Sequence, residues 1–241
     1  MILVKPLLFF VLISTLLWAS VVGCTEEMPG DNAVVEEEAG SFVKIPLPQP
    51  ELQGNVSVEE ALYTRISRRS FKEESLKVME VGQLLWAAGG LSVDGVTGAS
   101  RTAPSAGGTY PLELYLVVGD VEGIDAGIYH YDYQTHSLET KELGDVRTEL
   151  ARAALRQQVV TEAPASIVMV AHMKKTTKRY GERGIRYVYM DVGYKSQNIY
   201  LQAEALSMAT VAVGAFDDDA VKELLGTEGA PVMIMPIGYG S

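Results

Sequence analysis

The 241-residue chain has one cysteine, Cys24, and three histidines, His130, His136 and His172. A single cysteine rules out an intramolecular disulfide and leaves no thiolate set for zinc. The histidines are scattered and lack metal-ligand spacing, so no metal is expected. Positive charge is scarce: Lys and Arg total 20 against 31 Asp and Glu, for a net charge of −11. Nucleic acids select broad basic surfaces, and this balance excludes them as the main partner. No G-x-G-x-x-G follows a strand and no G-x-x-x-x-G-K-[ST] occurs, so neither usual nucleotide cradle is present. No G-x-S-x-G elbow marks a serine hydrolase, and no internal repeat is evident.

What is present divides the chain in three. Lys5 precedes an apolar run over 6–22 that meets Val21-Val22-Gly23-Cys24. A basic start, an apolar stretch and small residues before a cut site make a secretory signal over 1–23. The pattern resembles the bacterial lipobox, which implies cleavage before Cys24 and a lipid on its sulfur. At about 17 residues the run is also near the lower limit for a spanning helix, so an uncleaved anchor is the alternative. Either way the domain is expected outside the cytoplasm, tethered to the membrane. Over 24–53, Glu26, Glu27, Asp31, Glu36, Glu37 and Glu38 alternate with small residues, and Pro46, Pro48 and Pro50 follow. This reads as a disordered acidic spacer. With 47% hydrophobic residues the chain can bury a substantial core, and residues 54–241 suit one domain of about 190 residues.

Within the domain, Ser57-Val58-Glu59-Glu60 reads as a capping box, with Leu62 and Ile66 on one face of the helix it opens. Ser75 is expected to cap a second helix that ends at Gly89-Gly90. Residues 112–118 and 165–171 read as buried strands, 127–139 as a hairpin and 187–208 as a long helix. A strand over 210–213, a helix over 217–225 and a strand over 232–237 complete the pattern. Strands and helices are interspersed without regular alternation, which predicts an α+β fold.

Four segments carry chemistry. Arg65-Ile66-Ser67-Arg68-Arg69-Ser70-Phe71-Lys72 concentrates four cations and two hydroxyls in an acidic chain, which suits an anion; a solvated helix end is the alternative. Pro104-Ser105-Ala106-Gly107-Gly108-Thr109-Tyr110-Pro111 is a loop whose adjacent glycines let backbone approach a planar ligand, or simply a strand entry. In the long helix, Gln197 and Asn198 either bond a buried polar ligand or cap neighbouring backbone. After it, Val213-Gly214-Ala215-Phe216 exposes backbone at a strand end.

In this order, R-R-S-F-K (68–72), P-S-A-G-G-T-Y-P-L-E-L-Y (104–115), G-I-Y-H-Y-D (127–132), R-Y-G-E-R-G-I-R-Y (179–187), G-Y-K-S-Q-N-I-Y-L-Q-A-E-A-L (193–206) and G-A-F-D-D-D-A-V-K-E-L-L-G (214–226) resemble the nitroreductase-fold flavoproteins, most closely their SagB-type dehydrogenase branch. The resemblance implies a mostly antiparallel central sheet flanked by helices, with FMN bound at a homodimer interface. It implies that Arg68, Ser70 and Lys72 hold the FMN phosphate and ribityl chain, with Arg69 beside the ring. Pro104, Ser105 and Gly107 would pack on the flavin of the other subunit, and Gly214 and Ala215 would approach its N5 and O4. Gln197 and Asn198 are further carry-overs. Typical members have a basic residue just past the final strand, where this chain reads Pro236-Ile237-Gly238-Tyr239-Gly240-Ser241.

The resemblance also implies two-electron transfer between FMN and a small organic molecule, with NAD(P)H a candidate donor. The flavin carries the chemistry and no protein nucleophile is required. Tyr110, Tyr187 and Lys195 are candidate proton donors, and the 119–125 and 174–184 loops are expected to set the size of the site. A flavin-binding or sensor lipoprotein without turnover is the alternative from another class.

Overall fold

A computed structural model describes residues 43–92 and 100–241; the leader, Cys24 and the acidic stretch to residue 42 lie outside the described residues. The chain runs β1 (Lys44–Pro46), α1 (Val58–Thr64), α2 (Val78–Gly89), β2 (Leu91–Ser92), β3 (Ser100–Arg101), a 3-10 turn at Ala106–Gly108, β4 (Leu112–Val118), β5 (Gly127–Asp132) and β6 (Ser137–Leu143). It continues through α3 (Arg147–Ala153), α4 (Gln158–Glu162), β7 (Ala165–Ala171), α5 (Met173–Tyr180), α6 (Arg183–Ala205), β8 (Met208–Thr210), α7 (Asp218–Leu224) and β9 (Ala230–Tyr239). One sheet has the order β1-β6-β5-β4-β7-β9-β8, with every neighbouring pair antiparallel. The architecture is α+β, with a central antiparallel sheet flanked by helices.

Strands β4 and β7 lie mid-sheet, and both of their faces are covered. Successive strand residues point to opposite faces. Leu112, Leu114, Leu116 and Val118 of β4 therefore pack with Leu84 and Leu85 of α2 and Val188, Val192 and Ile199 of α6. Tyr115 and Val117, between them, pack with Leu150 of α3, Val160 of α4 and Val221 of α7. Helices on both sides explain why these strands read as continuous apolar runs rather than alternating ones. The two strands coincide with the predicted ranges 112–118 and 165–171.

Other boundaries shift for identifiable reasons. The Ser57 hydroxyl accepts from Glu60 N at 3.0 Å and caps α1 as expected. The helix stops at Thr64, however, so Ile66 lies outside it and both Leu62 and Ile66 are exposed. Lys77, not Ser75, starts α2, because Leu76 is held in a bridge with Val121. Helix α6 begins four residues before the predicted 187–208 helix and ends three earlier, where the chain turns into β8. The strand predicted over 210–213 lies earlier, at Met208–Thr210, and a bridge from Val213 to Ile234 is what remains of its later half. Helix α5 occupies most of what read as a loop over 174–184.

The spacer expectation needs correction at its end. Residues 44–46 pair with β6, and Leu47 is buried in the main core at 5% exposure. Pro46 is tolerated because β1 is an edge strand, where a missing N–H leaves no ladder bond unmade. Leu47→Ala is therefore expected to lower the unfolding free energy by about 2–4 kcal/mol in urea denaturation. A loss under about 0.5 kcal/mol would show that this stretch is the loose spacer its composition suggests.

Candidate functional site

The 65–72 segment is extended and clamped to the sheet edge. Arg68 N donates to Thr210 O of β8 at 3.0 Å and Lys72 N to Tyr239 O of β9 at 2.9 Å, while Phe71 bridges Gly240. Helix α6 holds the segment from the other side. Glu204 pairs with the Arg68 guanidinium and accepts from Ile66 N at 3.3 Å. The Ser67 and Tyr200 hydroxyls meet at 3.0 Å, and the Arg65 guanidinium lies 5.0 Å from the centre of the Tyr200 ring. Arg69, Ser70 and Lys72 are exposed, and their side chains form no hydrogen bond or ion pair with the described residues.

Tyr200 is also the joint to the strand end. Its hydroxyl accepts from Ala212 N at 2.8 Å, two residues before Gly214. Gly214 and Ala215 are exposed, and nothing lies within 4 Å of where a Cβ on Gly214 would sit. Gln157 Nε2 donates to Ala215 O at 2.9 Å and steadies the turn. Tyr200 thus links the residues just before 68–72 to the residues just before 214–215. For a phosphate-bearing planar cofactor the fit is good at Arg69, Ser70, Lys72 and the open backbone at Gly214. At Arg68 the cofactor competes with Glu204.

The 104–108 loop is placed elsewhere. The Ser105 hydroxyl donates to Asp191 of α6 at 2.5 Å and accepts from Tyr110 N at 2.9 Å. Arg179 donates to Gly107 O at 3.0 Å. Gly107 has φ +60°, and a Cβ there would fall 2.3 Å from the Tyr180 hydroxyl, so only glycine fits this turn. Pro104 is exposed at its start. Asp191 and Tyr200 are nine residues apart on α6, about 14 Å along its axis. Within one chain the loop is therefore set apart from the 65–72 segment. Of the two helix amides, Asn198 Nδ2 donates to Ala87 O at 2.9 Å and Thr102 O at 3.3 Å, which is backbone capping. Gln197 is exposed and makes no hydrogen bond with the described residues.

Behind this loop is a cavity of about 250 Å³ whose lining includes Arg101, Tyr110, Tyr131, Tyr133, Lys175 and Lys195. Lys195 is 3% exposed, and its Nζ donates to Ala88 O at 2.8 Å. Burial, reinforced by the Arg101 charge and opposed by Asp191, holds the Lys195 ammonium down at about 7. Burial in turn raises the Asp191 carboxyl, against the Ser105 hydrogen bond. Sequence reading reached Lys195 only as one of several proton donors, and it missed Tyr200, Glu204 and Arg101. Lys195 and Glu204 did carry a signal, since each is a charge within a mainly apolar helix.

Comparison with known proteins bears on this arrangement. The Nitroreductase family model matches residues 62–239. A protein of Methanocaldococcus jannaschii that carries the name nitroreductase is 39% identical over 199 residues, covering 83% of this chain and 98% of the relative. The trifolitoxin-processing protein TfxB of Rhizobium leguminosarum bv. trifolii is 29% identical over 113 residues, 45% of this chain and 30% of that protein. Among solved structures, a nitroreductase-named protein from Anabaena variabilis superposes with a TM-score of 0.71 at 26% identity, covering 83% of this chain. This chain spans 42% of that protein's length.

The buried lysine has a measurable consequence. Free lysine titrates near 10.5, so between about 7 and 10.5 the unfolded chain holds a proton that the folded chain has lost. Stability contributed by this group therefore rises with pH through that window, and the burden is greatest below 7. Lys195→Met is expected to stabilise the protein more at pH 6 than at pH 9, by a difference on the order of 2–3 kcal/mol. Paired urea denaturation curves at the two pH values measure it, and equal shifts would mean that Lys195 is not held as a desolvated amine.

Proposed function

Because the chain belongs to the nitroreductase family, we propose that this oxidoreductase is FMN-dependent and passes two electrons between the flavin and a small organic substrate. The observation that carries this reading is the link, through Tyr200, between Ser67 in the donor-rich 65–72 segment and Ala212, two residues before the open backbone at Gly214. Arg68, Arg69, Ser70 and Lys72 would hold the phosphate and ribityl chain, since guanidinium, ammonium and hydroxyl donors suit phosphate oxygens. The backbone at Gly214 and Ala215 would lie along the ring. Bound FMN supplies the redox chemistry, while the chain binds it, orients it and excludes water. NAD(P)H is the proposed electron donor.

We read the working unit as a homodimer. Pro104, Ser105 and Gly107 sit too far along α6 to serve the 65–72 segment of their own chain, and a second copy would bring them to it. An exposed apolar stripe supports this reading: Ile185, Tyr189, Met190 and Tyr194 on α6, with Leu62 and the 91%-exposed Tyr63 on α1. The likeness to the trifolitoxin-processing protein supports placement in the SagB-type branch. The leader and Cys24 support an exported, lipid-anchored protein. Azoline oxidation, the chemistry of SagB-type relatives in peptide-modifying clusters, is not carried over, because export would separate the enzyme from a cytosolic precursor.

A second reading, a flavin-binding module without turnover, is favoured by two contacts. Glu204 already engages Arg68. Tyr239, in the region where relatives carry a cation, donates its hydroxyl to Glu80 at 2.5 Å.

The purified full-length protein is expected to be yellow and to bleach with NAD(P)H under anaerobic conditions. A colourless protein that takes up no added FMN would overturn the reading, and a yellow one that no donor reduces would favour the second. Arg68→Ala should cost about 1.5–3 kcal/mol, or roughly ten- to a hundredfold in FMN affinity measured by fluorescence quenching. Cys24→Ala is expected to move the protein from the membrane to the soluble fraction and abolish palmitate labelling; unchanged fractionation would argue against the lipid anchor.

A further inference from the structure

We propose that the cavity bounded by β3, β4, β5, α5 and α6 is a binding site for a small planar carboxylic acid, its carboxylate held by Lys195 and Arg101 and its ring set against tyrosines. The argument does not use the flavin and stands whether or not FMN binds.

Size comes first. A cavity of about 150 Å³ accepts benzene in an engineered protein, so about 250 Å³ has room for an aromatic ring and a carboxylate. The walls fit such a shape: Tyr131 and Tyr133 supply aromatic surface, and Leu112 and Leu114 supply aliphatic surface.

The charge pattern sets the ligand's sign. An ammonium has three donors, and Lys195 uses one, on Ala88 O at 2.8 Å. It forms no ion pair with the described residues. Asp191, one helical turn earlier, lies outside the cavity lining with its carboxylate on the Ser105 hydroxyl, and it offsets the Lys195 charge only in part. A second cation faces the same space: the Arg101 guanidinium lies over the Tyr133 ring at 3.3 Å and the Tyr110 ring at 4.6 Å, which fixes its plane. The acids of the lining are already matched. Glu113 lies 2.9 Å from His172 and 3.1 Å from Lys175, and Asp132 lies 3.0 Å from Lys44. Lys195 and Arg101 are thus the cations of the lining with no carboxylate in contact, and burial together with their mutual repulsion holds the Lys195 ammonium low. An anion between them removes that cost.

The backbone is shaped for this arrangement. A Cβ at Gly89 would fall 2.2 Å from Lys195 Nζ, so glycine admits the lysine to the cavity. Tyr110, in the wall, has φ +42°, a strained value for a side-chain-bearing residue, of the kind that clusters at ligand sites.

The test is calorimetric titration of the purified full-length protein, with the flavin it retains, using benzoate and its neutral isostere benzamide. Benzoate is expected to bind at least about tenfold more tightly than benzamide, because only the anion engages both cations. Lys195→Met and Arg101→Gln should each remove that preference. In the unsubstituted protein, saturating benzoate should slow reductive methylation of Lys195, read by peptide mass mapping, which keeps the proposal testable if a variant fails to fold. Equal binding of the two probes, no binding, or unchanged methylation of Lys195 would overturn it. So would benzoate binding that shifts the flavin absorption band yet is indifferent to Lys195→Met, since that places the ligand on the flavin.

Discussion

Helix α6 sends a file of polar side chains inward, and those side chains fix segments with little regular structure of their own. Asp191 anchors the 104–108 loop through Ser105, and Asn198 caps the carbonyls of Ala87 and Thr102. Tyr200 and Glu204 hold the 65–68 stretch, and Tyr200 also reaches Ala212. Such contacts are worth most where water is excluded, and an unmade one there costs more than a made one contributes. The helix can carry this load because its apolar positions, Val188, Val192, Ile199 and Ala203, are seated on the sheet.

The sheet supplies the rigid floor. With helices on both faces of β4 and β7, the centre of the molecule is apolar throughout, and irregular segments are displaced to the edges and strand ends. The 65–72 segment, the 211–216 turn and the lysine cavity all lie at such ends. The planar cofactor proposed above would lie against exposed backbone, and strand ends and turns are where backbone groups are free of the ladder.

Electrostatics is divided by location. In a chain of net charge −11, the local cations at 65–72 stand out, but one of the arginines is matched by Glu204 from within the fold. Among the cations that the fold leaves without a carboxylate partner are Arg69 and Lys72 at the surface and Lys195 in the interior. The first two are cheap to leave in water. The third is costly, which marks its cavity as more than a packing defect.

The central strands, the hairpin, the long helix and the last strand were legible in the sequence, because apolar runs and helical periodicity are local properties. The segments at 65–72 and 104–108 could be singled out in the sequence, because cations in an acidic chain and paired glycines stand out without a structure, while the roles given to them and to 214–215 came from the family resemblance. The strand at 44–46 was not legible. Its prolines and charges describe a spacer, and only pairing with β6 and the burial of Leu47 make it part of the fold. Nor was the role of Asn198, Glu204 or Lys195, whose meaning lies in partners 96 to 138 residues away in the chain. Sequence determined most of the longer elements and where cations concentrate, since these follow from neighbours along the chain. Tertiary structure decided which cations are already spent and which remain available, because that depends on carboxylates brought in from distant elements and on how much water the packing leaves around each charge.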